Sequence, residues 1–543
     1  NIDWHTDIKT GKKWEPEYYS NIEYNNLEES SDVKVPWEIS RMQWLIPLGQ
    51  NYVINKNEKH ALFVKDIILD WINKNEYGFS VNWTCTMEVA LRVINWIWFF
   101  YVFKNSTIWE DRNFRFIFLR SLYLHIEFIE NHLEISNVNG NHLTADACGL
   151  FFGGLFFKLN KKSNSWIRKG KDLLEKEIIN QVFLDGVCFE GSVPYHRLVT
   201  ELFFYALIYG EAKNFFFSST YKGKLNLMAE FILFYSKPNG LSPIIGDSDN
   251  ARVLPFGNQE LNNHKYLYFC IKYYLKKELF NNPGNDELTE LIWIFDYKTI
   301  NSSIVKPFFN EDKYLNSKAF KDSGYFVMRN NNNFVFIDCS EVGYKGRGGH
   351  GHNDCLSFEA SLAGENLIRD CGSYLYTASY SERNKFRSTA FHNTVQINKK
   401  EINRFISEYN LWTLNYDAKP KCIEWEDNDN RTLFIGKHTG YERLRQNIKI
   451  KRKILLYKKS INLIIHDFIT GDGSNLIEIP LHFEPGINLK FLNKKEIQIE
   501  TKKNIFIISW DSNRNFISEI LDCRISSSYG EFKYSKKLKW KYH

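Results

Sequence analysis

The feature that most constrains this chain is a change of hydrophobic period part-way along it. From about residue 60 to 300 the apolar residues recur at helical spacing, near 3.6. The segments 87–103, 115–133, 145–158, 166–183, 195–212, 223–236, 264–278 and 286–297 follow it, separated by loops of Asn, Gly, Ser and Pro. After about residue 310 the apolar runs become short, β-branched or aromatic, and often alternate, as in 325–329, 334–339, 446–457, 461–468 and 504–510. Helices bury a stripe and strands bury every second residue, so the two halves need different architectures. The pattern predicts a multidomain α+β chain. An N-terminal arm or partial helical hairpin occupies 1–40. Paired helices, as a bundle, solenoid or closed ring, fill 41–305, and an antiparallel sheet domain fills 306–543. A chain of 543 residues is too long for one compact core, which agrees with that division.

Composition excludes several classes. With 43% hydrophobic and 25% charged residues the chain is not disordered. Its most apolar stretch, 93–103, is interrupted by Asn95 and is shorter than the ~20 residues a membrane span needs. Seventy basic against 64 acidic residues leave a net charge of +6, compatible with an anionic ligand and too weak for nucleic acid. Aromatic residues reach 16%, enough to fill large cores and to line a sugar cleft. Nine scattered cysteines without a C-x-x-C pair read as buried thiols, not as a disulfide framework or thiolate zinc site. The chain starts at Asn1 and shows no signal peptide.

The densest chemical signal is 345–354, which holds four glycines, His350, His352 and Asn353. Glycine permits tight turns and close approach of a ligand to the backbone. His350 and His352 are two apart and project to one side of an extended segment. Downstream lie Asp370 and His392. Two histidines and a carboxylate suit zinc or a similar divalent ion, and equally suit ordinary hydrogen bonding. In the helical half, Asn139–His142 and Glu190–Arg197 stand at loop–helix junctions, where helix capping accounts for polar residues equally well. The segment 246–252 is a polar turn. Glu88, Arg92 and Asn95 share one helical stripe, either as a buried ion pair or as part of a groove for an acidic sugar.

Together these segments resemble a family. "NWTCTMEVALRVINW", "NVNGNHLTADACGLFFGG", "FEGSVPYHRLVTE", "GDSDNAR", "GGHGHNDCLSFEASLAGENLIRDCGSY" and "FRSTAFHNTV" occur in the order found in the heparinase II/III-like polysaccharide lyases. The resemblance spans roughly residues 30–400 and is most specific from GHGHND to HNT. It implies an incomplete (α/α) toroid followed by an antiparallel β-sandwich. The implied activity is β-elimination on uronic-acid polysaccharides such as hyaluronan, chondroitin sulfate or heparan sulfate, leaving C4–C5 unsaturated ends.

Further implications follow residue by residue. Asn141 and His142 flank the uronate carboxylate, with His142 also a base for one C5 configuration. Tyr195 is the general acid, or both base and acid. His350 reaches the cleft from the β domain. A free tyrosine titrates near ~10, so nearby cations such as Arg197 are expected to favour its anion. His352, Asp370 and His392 hold a divalent ion (zinc, manganese or calcium) with a structural role. Glu88, Arg92, Arg197, Arg347, Asn353 and Arg387 are substrate-binding candidates. One departure stands out: some members carry Glu three residues after the matching histidine, where this chain has Ala145 followed by Asp146. The partner is an acidic polysaccharide, and a bacterial periplasm or secretion suits such an enzyme. Alginate or an exopolysaccharide is a nearby substrate class. A metal-dependent glycoside hydrolase lacks the carboxylate pair it would need. A non-catalytic glycan-binding protein would not require Asn141, His142, Tyr195 and His350 together.

Overall fold

The computed structural model describes residues 2–158, 160–295 and 315–543. The predicted boundary at 305/306 lies outside the described residues. The helices are α1 (Lys34–Ser40), α2 (Ile46–Asn55), α3 (Glu58–Lys74), α4 (Thr86–Val102), α5 (Arg112–Asn131) and α6 (Asn141–Phe157). They continue as α7 (Lys161–Gln181), α8 (Val193–Ala212), α9 (Ser219–Tyr235), α10 (Lys265–Tyr274) and α11 (Asn285–Ile294). Successive helices pack in an incomplete toroid. α6 packs against α4, α5, α7 and α8, and α8 is buried without a break from Val193 to Leu207. His142 is the exception in the first turn of α6, whose neighbours Asn141, Leu143 and Thr144 are buried.

Residues 2–40 pack against both halves. Trp4 is fully buried, its carbonyl accepts from Asn82 Nδ2 at 2.9 Å, and Tyr529 of the β half donates to Asp32 at 2.6 Å.

The described β half holds four antiparallel sheets. The first has five strands in chain order, from Lys318–Phe320 to Glu365–Ile368, and it joins the halves. Along Tyr325–Asn330, Tyr325 and Val327 enter the helical core while Phe326 and Met328 enter the sheet core, the period of two written in the sequence. Phe231 of α9 meets Phe320 with ring centroids 4.8 Å apart. Buried Lys237 pairs with Glu359 at 2.5 Å across the same seam. A short helix, α12 (Tyr380–Phe386), interrupts the β half without a sequence signal that foretold it.

The two halves also touch backbone to backbone. Gly246 has φ of +73°, and a Cβ there would lie 2.4 Å from the Gly191 carbonyl oxygen. The next residue, Asp247, donates its N–H to the His350 carbonyl at 2.9 Å. Glycine is required at this crossing because a Cβ would overlap the Gly191 carbonyl of the helical half and lie 2.9 Å from the His350 carbonyl oxygen of the β half.

Candidate active site

Asp247 organises the site. Its buried carboxylate accepts from His350 Nδ1 at 3.0 Å, from His352 Nε2 at 2.9 Å and from both terminal nitrogens of Arg383 on α12, one at 2.7 Å. Burial alone would raise this carboxyl. The Arg383 guanidinium and the imidazoles override it and hold Asp247 well below the usual carboxylate range.

His350 thus anchored lies flat against Tyr195, the ring centroids 3.7 Å apart and the planes 15° from parallel. Tyr195 stands in the first turn of α8, where its N–H is capped by Ser192 Oγ at 3.1 Å. Its hydroxyl is 3.5 Å from that of Tyr376. Asn141 opens α6 with its N–H donating to Glu190 at 2.6 Å, and its Nδ2 lies 3.4 Å from His350 Nε2. Glu190 also accepts from Tyr344 at 2.9 Å. Gly140 lets Tyr344 in, since a Cβ there would sit 2.0 Å from the phenol oxygen. His142 is 47% exposed, and its Nδ1 is 3.0 Å from Glu134.

These four side chains, drawn from both halves, line one cleft of about 630 Å³. Lys34, Trp37, Tyr376 and Trp412 add walls that the motifs did not announce. Trp412, 41% exposed and beside both His350 and Tyr376, offers a flat ring to a sugar face. Lys34 is spent on Asp249 at 2.5 Å.

Not every expected residue reaches the cleft. Arg347 does, and is exposed. Glu88 does, but as the partner of Arg41, with two contacts of 2.6 Å. The other four candidates are taken up by the framework. Arg92 lies on the Trp71 ring at 4.2 Å and donates to the Asn82 carbonyl. Arg197 donates to the Ala251 carbonyl at 2.6 Å. Asn353 accepts from the Asn403 N–H at 2.7 Å. Arg387 donates to the Leu411 carbonyl at 2.9 Å and stacks on Phe405. A buried guanidinium needs acceptors, and carbonyls at loop ends supply them. The expectation that Arg197 favours a Tyr195 anion is therefore corrected. Burial, then the carboxylate of Asp249, hold the Tyr195 phenol well above its ordinary range, so the tyrosine keeps its proton.

Beside this cleft lies a second cluster. His352 Nδ1, Asp354 Oδ2 and His392 Nε2 are buried without a hydrogen-bond partner. His352, Asp354 and His392 offer ligand atoms within 4.8 Å of one another. Asp370, expected as the third ligand, instead accepts from His392 Nδ1 at 2.8 Å and from the Gly372 N–H. It stands behind His392 as Asp247 stands behind His352. Carboxylates in that position orient imidazoles whose other nitrogen faces a metal. The donor set fits a divalent ion with Asp354 in the third place.

Sequence models of the two heparinase II/III domains match consecutive parts of the chain. "Heparinase II/III N-terminus" covers residues 4–268, and "Heparinase II/III-like, C-terminal" covers residues 313–535. The chain belongs to the heparinase II/III-like family. Relatives within reach are a heparin-sulfate lyase of Bacteroides stercoris, 25% identical over 89% of this chain and 68% of its own length, and one of Pedobacter heparinus, 24% identical over 94% and 71%. In the solved structures, a heparinase III superposes with a TM-score of 0.73 at 19% identity, covering 100% of this chain and 80% of its own. The heparan sulfate lyase HepC of Pedobacter heparinus gives 0.63 at 20%, covering 94% and 74%. Those likenesses establish the toroid plus β-sandwich architecture. Ala145, where some members carry glutamate, is buried in α6, while Glu134 reaches His142 from the preceding loop.

Proposed function

We propose that this chain cleaves a uronic-acid glycosaminoglycan, of the heparan sulfate class, by β-elimination. The reading rests on one observation: Tyr195 of the helical half and His350 of the β half stand face to face on a cleft that also holds Asn141 and His142. The two heparin-sulfate lyase relatives support the substrate class.

The reaction must remove a C5 proton beside an ionised carboxylate, so the charge that grows on that carboxylate has to be met by fixed positive charge and hydrogen bonds. His142 and Asn141 serve there. His350 donates its Nδ1–H to Asp247, which leaves Nε2 with a lone pair for the C5 proton. Tyr195, kept as a phenol by burial, gives its proton to O4 as the C4–O4 bond breaks and the C4–C5 double bond forms. Stacked rings place acid and base on one side of the sugar.

His352, Asp354 and His392 hold a divalent ion that braces the loop presenting His350. Two imidazoles favour zinc or manganese over calcium, which takes oxygen ligands. Action on a polymer suits a bacterial periplasm or the exterior; no helix among the described residues is long and apolar enough to cross a membrane.

The test is incubation with heparan sulfate, hyaluronan, chondroitin sulfate and alginate while following the ultraviolet absorbance of the unsaturated uronate. A rise with heparan sulfate is expected. A rise with alginate alone moves the substrate class, sugar release without absorbance means hydrolysis, and binding without release means a glycan-binding protein.

A further inference from the structure

The carboxylate of Glu134 is held from three sides in a way that the reaction above does not use. Its Oε2 accepts the Met87 N–H at 3.0 Å, and its Oε1 is 3.0 Å from His142 Nδ1. Its own N–H donates to Asp146 Oδ2 at 2.8 Å, one turn along α6 from His142. Met87 lies in the first turn of α4, where unpaired N–H groups and the helix dipole favour an anion. The Cys85 thiol, 4.0 Å from Oε1 and 3.9 Å from Nδ1, closes the cluster.

The environment sets the charges. Cys85 is pushed up to about 11, chiefly by burial, and stays a thiol. Burial, then the charge of Glu134, drives Asp146 well above the carboxylate range, so it stays protonated. Glu134 is then the anion. Partial desolvation opposes a charge on His142, whose side chain is still 47% exposed, but Glu134 overrides it and holds the imidazole well above its usual range. The ring nitrogen left for a ligand is Nε2.

We propose that Glu134 is the positioning residue of the site, holding His142 as an imidazolium that presents Nε2–H to the substrate carboxylate. His142 is then a fixed cation and not a base. This rests on the β-elimination reading for its consequence in turnover, but the charge state of His142 stands independently of it. With Ala145 three residues after His142, where some members carry glutamate, the carboxylate that serves the histidine here comes from the loop after α5.

The experiment combines an imidazole titration with kinetics on the full chain. With His labelled at Cε1 and the His142 resonance assigned through His142→Gln, the wild-type ring is expected to titrate well above the free imidazole value. In Glu134→Gln it is expected to return toward ~6.5. Other groups facing the ring are Cys85 just before α4, Asp146 from α6 and Tyr24 from the N-terminal segment, so Cys85→Ser serves as a control and should leave the titration in place. In Glu134→Gln the turnover should fall about tenfold or more at pH 8 and recover toward pH 6, where the ring regains its proton; Glu134→Asp should restore part of the loss. Were the wild-type ring to titrate near 6.5, or identically in Glu134→Gln, the inference would be overturned, even if the variant folds poorly. Should no polymer yield unsaturated ends, the function reading fails while the titration still decides the role of Glu134.

Discussion

Tyr195 and Asp247 carry most of the consequence at the scale of single residues. Loss of the Tyr195 hydroxyl removes the proposed acid but little packing, since the ring stays stacked on His350. Tyr195→Phe is expected to lower kcat by about 10²–10⁴ with an unchanged melting temperature, read from the unsaturated-uronate absorbance and circular dichroism. Asp247 is different because four groups depend on it. Asp247→Asn leaves Arg383 buried without its counter-charge, at a cost of about 3–5 kcal/mol in denaturant unfolding at pH 7. The sign with pH follows from its depressed folded value. The stabilisation is complete above the unfolded carboxyl value of ~3.9 and is lost as pH falls through the lower folded one. The wild type should therefore lose stability steeply below about pH 4, and Asp247→Asn should have a flatter acid limb. A flat wild-type limb would show that Arg383 and the imidazoles do not hold the carboxylate as described.

At the scale of elements, the site depends on how loops cross between the halves. Helix ends place Asn141, His142 and Tyr195, but the loop after α9 sets Asp247 beneath the two histidines. Gly246 allows this crossing with a positive φ and contact with the Gly191 carbonyl. Gly246→Ala adds a left-handed penalty of about 1–2 kcal/mol to a backbone overlap. A lower melting temperature is expected, together with loss of turnover as Asp247 shifts; an unaffected variant would mean that the crossing is slack. The periodicity in the sequence located α4 to α11 to within a few residues, because amphipathic spacing is a local property. It did not foresee α12, whose seven residues are too short for a period to show and whose Arg383 is nonetheless an anchor of the site.

For the whole molecule, the catalytic cleft exists only where toroid and sheets meet. The loop that delivers His350 is tethered by Asp247 on one side, and the proposed ion on His352, Asp354 and His392 would hold it on the other. Removal of a divalent ion from that cluster should loosen the β half against the toroid. Dialysis against a chelator is expected to lower the melting temperature, with recovery on adding zinc or manganese. An ion at a thousand times its Kd contributes about 4 kcal/mol. Metal analysis should find one ion per chain in the wild type and none in His392→Ala, whereas a melting temperature indifferent to chelation would leave the three orphaned atoms without a metal.

The amino-acid order by itself determined the division into helices and strands, the family, and the neighbourhood of the site, because period and motif are properties of consecutive residues. The motifs singled out Asn141, His142, Tyr195 and His350, and the fold brings all four to one cleft. Only the tertiary structure decided which charges face the cleft. Arg92, Arg197 and Arg387 turn to internal carbonyls, Asp370 stands behind a histidine, and an unpaired Asp354 oxygen lies beside His352 and His392. Glu134 carried no sequence signal at all. A buried charge takes whichever partner the packing brings within hydrogen-bonding distance, and contacts such as His350 with Asp247, 103 residues apart, are not written in any spacing along the chain.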